Sequence, residues 1–180
     1  MRADIEKLMA LRNLDALLIL GPTSANPPMF YVTGGAALGK SVYLHRRGNA
    51  PHLIYNLMER DAALATGLDC SAFPENDYSR FLEENGGDNP AAQAAFLGHA
   101  LKKNGVAGRV GVYGMQESAR IYPILRRLAE LPGVEIAEEA TGRSLFEEAR
   151  LTKDAAEVER VRTVGLACYA AYDALKAVIR

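Results

Sequence analysis

Cysteine is almost missing from this sequence: there are two in 180 residues, Cys70 and Cys168. They stand far apart, without partners at metal-ligand spacing. That scarcity excludes a disulfide-stapled scaffold and a zinc site, and it predicts two buried, reduced thiols. Long apolar runs are missing too. The longest near the N-terminus, Ala16 to Leu20, is far too short to span a bilayer, which takes about 20 residues. Met1-Arg2-Ala3-Asp4 leads into an amphipathic helix rather than into the apolar segment of a signal peptide. The expectation is a cytoplasmic protein with no membrane partner. Nor does charge of one sign dominate. Lys and Arg number 21 against 22 Asp and Glu, a formal net charge of −1, with no long block of either. Phosphate binding needs a concentrated basic face, so nucleic acid is excluded as the main partner. The doublets Arg46-Arg47 and Arg126-Arg127 read as solvated surface.

What is present is the patterning of an α/β domain. Ile5, Leu8, Met9 and Arg12 fall at helical spacing, and DALLILG follows as a short apolar run closed by Gly21-Pro22, a strand buried on both faces. PTSANPP, residues 22–28, reads as a loop, and MFYV as a further short apolar piece before TGGAALGKS. SVYLHRR, GNA and PHLIYN read as strand, turn and strand. A helix from Leu57 to Thr66 and a strand at LDCSAF come next. After the loop Glu84–Pro90, Asp88 or Asn89 caps a helix that opens with Pro90 and runs to about Asn104. RVGVYG is a strand, Gln116–Glu130 a helix with Pro123 kinking it or lying in its first turn, VEIAEE a strand, and Ser144–Arg150 a short helix. The order predicts one mixed β-sheet of about five to six strands with helices on both faces, plus a long C-terminal helix.

That last helix opens on a capping box, with Asp154 at the N-cap and Glu157 three residues on; Lys153 precedes Glu157 by four. Val161, Val164, Cys168, Ala171, Leu175 and Val178 then form one apolar stripe that is still running at Arg180, without a stop signal. This pattern predicts the front part of a longer protein. It also predicts that the stripe either mediates dimerisation or folds back onto the domain.

Gly34–Ser41, GGAALGKS, matches the phosphate-loop pattern letter for letter. Such a loop needs a strand before it and, directly after the lysine, a helix whose N-terminus faces the anion. MFYV serves as the strand, but Val42, Tyr43 and Leu44 favour extended structure. The expectation is therefore a glycine turn between strands with Lys40 in solvent, and nucleotide binding through Gly34–Ser41 is the alternative reading. His45 and His52 sit on neighbouring hairpin strands within reach of each other, a poor metal site; His99 reads as a partly buried structural residue. No nucleophile elbow anchors a hydrolase triad. The pairs Glu83-Glu84, Glu138-Glu139 and Glu147-Glu148 read as solvated surface.

Four segments, in order, resemble the N-terminal domain of the creatinase/prolidase/aminopeptidase P ("pita-bread") metallopeptidase family. These are the opening helix with LDALLILG, NPPMFYVTGGA, the hairpin running into PHLIYNLMERDAA, and ARLTKDAAEVERVR with Arg150, Lys153 and Glu157. The resemblance implies a domain over residues 1–150 and a connector helix over 151–180 leading toward a catalytic domain. It implies a metal-dependent exopeptidase, such as an Xaa-Pro dipeptidase or aminopeptidase, as the parent protein. In that family two divalent metals are held by two Asp, one His and two Glu of the C-terminal domain, so no cofactor and no catalysis are expected of this chain alone. The expected partners are its own catalytic domain and a second copy, with a role in dimerisation and in narrowing substrate access. By the same analogy Tyr31, Thr33, Gly34, Gly35, Tyr55 and Arg60 are candidates for facing the substrate cleft.

Overall fold

The computed structural model describes residues 3–73, 75–114, 116–139 and 142–179, and the side chains of all of these except 75–77. Met1, Arg2 and Arg180, which bear on the reading of the two ends, lie outside the described residues. The elements run α1 (Asp4–Leu11), β1 (Ala16–Leu20), α2 (Pro27–Thr33), β2 (Ser41–Arg46), β3 (His52–Tyr55), α3 (Arg60–Leu64) and β4 (Asp69–Ala72). Then come α4 (Glu75–Glu84), α5 (Asn89–Lys103), β5 (Gly108–Tyr113), α6 (Ser118–Ala129), β6 (Val134–Ile136), α7 (Leu145–Ala149) and α8 (Ala155–Ile179). One six-stranded mixed sheet results, in the order β4-β3-β2-β1-β5-β6.

β2 pairs antiparallel with both β1 and β3, whereas β1–β5, β3–β4 and β5–β6 are parallel. Five strands therefore share a direction and β2 alone opposes it. The carboxyl ends of those five and the start of β2 lie along one edge of the sheet.

The alternation of ALLIL explains the two-layer core. Leu17 and Ile19 face a cluster built from α1, α2, α3 and α7, with Met9, Met29, Ala63 and Phe146. Ala16, Leu18 and Leu20 face the other cluster, with Phe81 of α4, Leu97 and Leu101 of α5, and Leu128 of α6. All five residues of β1 are buried, as a strand covered on both faces requires. The mixed sheet with helices on both faces agrees with the pattern read from the sequence.

Two segments differ from that reading. PPMFYV is not loop plus strand but α2. Asn26 accepts from Met29 N (3.3 Å), Pro27 and Pro28 occupy the first turn where no N–H is needed, and Gly34 closes the helix in the left-handed region. An apolar run this short has no period to separate helix from strand, so the caps decide. The second is α4 (Glu75–Glu84), a helix in a stretch for which the sequence pattern predicts no element. Pro123 falls inside α6, beyond its first turn, and removes the intrahelical bond that would end on Ala119.

The phosphate-loop reading loses its context here. Gly34–Ser41 follows a helix and enters β2, so no helix begins directly after Lys40 as a phosphate loop requires. Lys40 is not simply in solvent either: its ammonium lies 5.0 Å from the Phe73 ring and 5.1 Å from that of Tyr78. The thiols also depart from expectation, with Cys70 half-buried and Cys168 exposed on α8.

α8 does not fold back. From Val158 onward all its described residues are exposed, Val164 at 62% and Val178 at 83%. Its apolar surface is wider than the predicted stripe: Tyr172 and Ile179 are exposed along the stripe's edge, and Leu166 and Tyr169 are exposed outside it. Only Arg162, Asp173 and Lys176 are charged between Val161 and Ile179. A helix apolar around most of its circumference has the composition of a buried element.

Candidate functional site

The capping chemistry of α7 and α8 builds a cleft. Ser144 Oγ accepts from Glu147 N (3.2 Å) while Glu147 Oε2 accepts from Ser144 N (2.7 Å). Asp154 and Glu157 repeat the exchange at 2.8 and 2.9 Å, as their spacing predicted. Lys153 Nζ turns back to the Arg150 carbonyl. These bonds fix the start of α8, whose first turns share a cleft with α2. Between α2, the end of α7 and the first turns of α8 lies a cleft of about 760 Å³. Its rim carries Arg143, Arg150, Lys153 and Arg160 against Glu147 and Glu157, and Phe30 supplies an exposed aromatic wall. The Glu147 carboxyl is held below its ordinary range, chiefly by its bonds to Ser144 and further by the charges of Arg143 and Arg150.

Tyr31 and Gly34 line this cleft together with Arg150, Lys153 and Glu157. Tyr31 is nevertheless a structural anchor, since its hydroxyl donates to the Ala149 carbonyl (3.1 Å) in a buried bond that ties α2 to the end of α7. Thr33 is buried and donates to the Met29 carbonyl (2.8 Å). Gly35 packs against the Phe30 ring, where a Cβ would come within 2.8 Å of it. Tyr55 is buried in the core, and Arg60 is exposed at the start of α3. Neither lines the cleft.

Behind the cleft stands a polar cluster that the sequence did not reveal. Arg12 Nε pairs with Glu139 (3.2 Å), and its Nη2 reaches Glu148 (2.9 Å) and the Arg143 carbonyl (3.2 Å). Glu139 also accepts from Tyr113 Oη (3.1 Å) and Leu145 N (2.5 Å). Glu139 and Glu148, read as solvated surface, are therefore the clasp that joins α1, β5 and α7. No local pattern encodes partners more than a hundred residues apart.

Burial, reinforced by the Glu139 charge and hydrogen bond, pushes the Tyr113 phenol well above the ordinary tyrosine value of 10.0. The folded state keeps this proton where the unfolded chain loses it. Its contribution to stability is thus present below pH 10 and falls as pH rises past that value. An absorbance titration should find one phenol, absent from Tyr113→Phe, that ionises only above the ordinary range. Identical titration curves for the two proteins would contradict this.

The histidines separate rather than converge. His45 lies on the α1 face, with Nε2 2.8 Å from Glu6, while His52 points to the opposite face of the sheet beside Leu44. A one-residue offset between paired strands places their side chains on opposite sides. His99 is exposed, its ring 5.8 Å from that of Phe81. His52 does form a row with Asp69 (Nδ1 to Oδ2, 2.7 Å) and Ser71 (Nε2 to Oγ, 2.9 Å). These are the atoms of an acyl-transfer triad. Asp69 is 75% exposed, however, and the three lie outside the cleft at the base of α8, so the row serves to fasten edge strand β4 to β3. Among the described residues no group of three or more His, Cys, Asp or Glu is placed to hold a metal ion.

No family model matches the sequence, and no curated protein matches it. Solved structures do match. A dipeptidase from Pyrococcus horikoshii OT3 aligns over 88% of this chain and 39% of its own, at TM-score 0.57 and 19% identity. An X-Pro aminopeptidase from Thermotoga maritima MSB8 aligns over 88% and 38%, at TM-score 0.55 and 16% identity. The N-terminal domain of an Xaa-Pro dipeptidase from Lactobacillus brevis aligns over 83% of this chain and 97% of its own, at TM-score 0.51 and 13% identity. The chain thus spans about two fifths of those two peptidase chains and nearly the whole of the isolated domain. Together with the six-stranded mixed sheet, these matches lead to one conclusion: this chain has the fold of the N-terminal domain of prolidase-type Xaa-Pro peptidases.

Proposed function

We propose that the chain is the non-catalytic N-terminal domain of an Xaa-Pro dipeptidase or aminopeptidase-type metallopeptidase. In this reading residues 1–150 are the domain, and 151–180 form the connector to a catalytic domain that holds the two divalent metals. The observation that carries the proposal is α8, a helix of composition suited to a core that leaves its apolar faces in solvent beside a fold found in peptidases. In the parent, the catalytic domain covers those faces and the Arg143–Arg160 rim borders the route to the substrate. In the chain alone a second copy takes that place, giving a homodimer. A cytoplasmic location accompanies this reading; no described helix is long and apolar enough to cross a membrane.

Assaying the purified chain on Xaa-Pro dipeptides with manganese, cobalt or zinc tests the non-catalytic assignment. No release of proline above the buffer rate is expected. Hydrolysis that co-elutes with the chain and is abolished by chelation would overturn it.

A further inference from the structure

The motif Gly34–Ser41 delivers Lys40 to a second cleft, on the opposite face of the sheet from the base of α8. This crevice, of about 690 Å³, lies just beyond the carboxyl end of β1, where the chain leaves β1 toward β2 on one side and β5 leads to β6 on the other. In open sheets with parallel strands, such a point leaves a gap between diverging connections, and ligands bind there. The volume falls within the range of small-molecule sites.

We propose that this crevice binds a small monocarboxylate with an apolar or aromatic body. The walls set the body: Val42, Phe73, Phe96, Leu97, Ile121 and Ile124 make most of the surface apolar. Lys40 sets the charge. Its ammonium is held over Phe73 and Tyr78, and among the described residues no carboxylate lies within ion-pair distance of it. Arg120, the other cation on the wall, already pairs with Glu117 at 3.0 Å. Among the described residues this leaves one unpaired positive charge above an apolar floor, which suits a singly charged anion that costs less to dehydrate than a phosphate dianion. Two side-chain amides add direction. Gln116 Nε2 approaches the Leu20 carbonyl (3.4 Å) and Gln93 Nε2 the Asn89 side chain (3.3 Å), which leaves their Oε1 atoms as acceptors for an N–H of the ligand. A carboxylate, an amide N–H and an apolar side group are the features of an N-acylated amino acid. The inference does not depend on the peptidase reading, since it uses neither α8 nor the other cleft.

Titrating the ¹⁵N-labelled chain with N-acetylphenylalanine, its neutral carboxamide and inorganic phosphate tests it. The acid should shift amide resonances of Gly21, Lys40, Gln93 and Gln116 and leave those of residues 143–161 in place. The carboxamide should bind about tenfold more weakly, as should the acid to Lys40→Gln, while Lys40→Arg retains binding. Lys40 is exposed, so the variants should keep the wild-type spectrum elsewhere. Equal affinity for acid and carboxamide, unchanged binding by Lys40→Gln, preference for phosphate, or no shift at millimolar acid would each overturn the proposal.

Discussion

Replacing Gly114 with alanine should remove about 3–5 kcal/mol of folding stability, much of what a domain of this size has. Gly114 directly follows β5 at φ +126, a region that an L side chain rarely adopts, and a Cβ there would lie 2.3 Å from the Leu20 carbonyl oxygen. The clashing atom belongs to the backbone of the central strand, buried on both faces, so it cannot swing aside as a side chain would. Relief requires β1 and β5 to part where their connections diverge. A urea titration followed by circular dichroism should show the midpoint falling sharply with little change in slope. A loss below about 1 kcal/mol would mean that this strand end is looser than described.

Phe146→Ala should cost a similar amount, about 3–5 kcal/mol, by opening a cavity under α7. Phe146 is among the largest fully buried side chains, and it meets the Tyr113 ring edge-on at 4.9 Å between centroids. Its loss also reaches the candidate site. α7 presents the Ala149 carbonyl to Tyr31 and leads directly into the Asp154–Glu157 box. Faster hydrogen exchange should therefore appear at residues 155–160 of Phe146→Ala, even under conditions where the sheet stays protected. If exchange rises only in the sheet, α7 does not position the start of α8.

β1, the β2–β3 hairpin and the capping box of Asp154 and Glu157 are legible because their causes are local: an unbroken apolar run, a Gly-containing turn, an acceptor three residues from its donor. α2 differs from its sequence expectation although its signals, Asn26, Pro27-Pro28 and Gly34, are equally local, because the apolar run between them has the composition of a strand. The clasp of Arg12, Glu139 and Glu148 could not be read at all, since charged residues in a sequence look alike until the fold pairs them. His45 and His52 failed for a subtler reason, because adjacency of strands says nothing of faces until the register is known. Of the proposed cleft residues, Tyr31 and Gly34 reach the cleft at the base of α8, drawn there by the caps of α2 and α7.

Sedimentation velocity of the chain over a range of concentrations tests most directly whether α8 is built to be covered. Wild type should sediment as a dimer at micromolar concentration, and the double substitution Val164→Asp and Leu175→Asp should give a folded monomer. A wild-type chain that stays monomeric at every concentration, with residues 160–179 exchanging their amide hydrogens freely, would contradict the account.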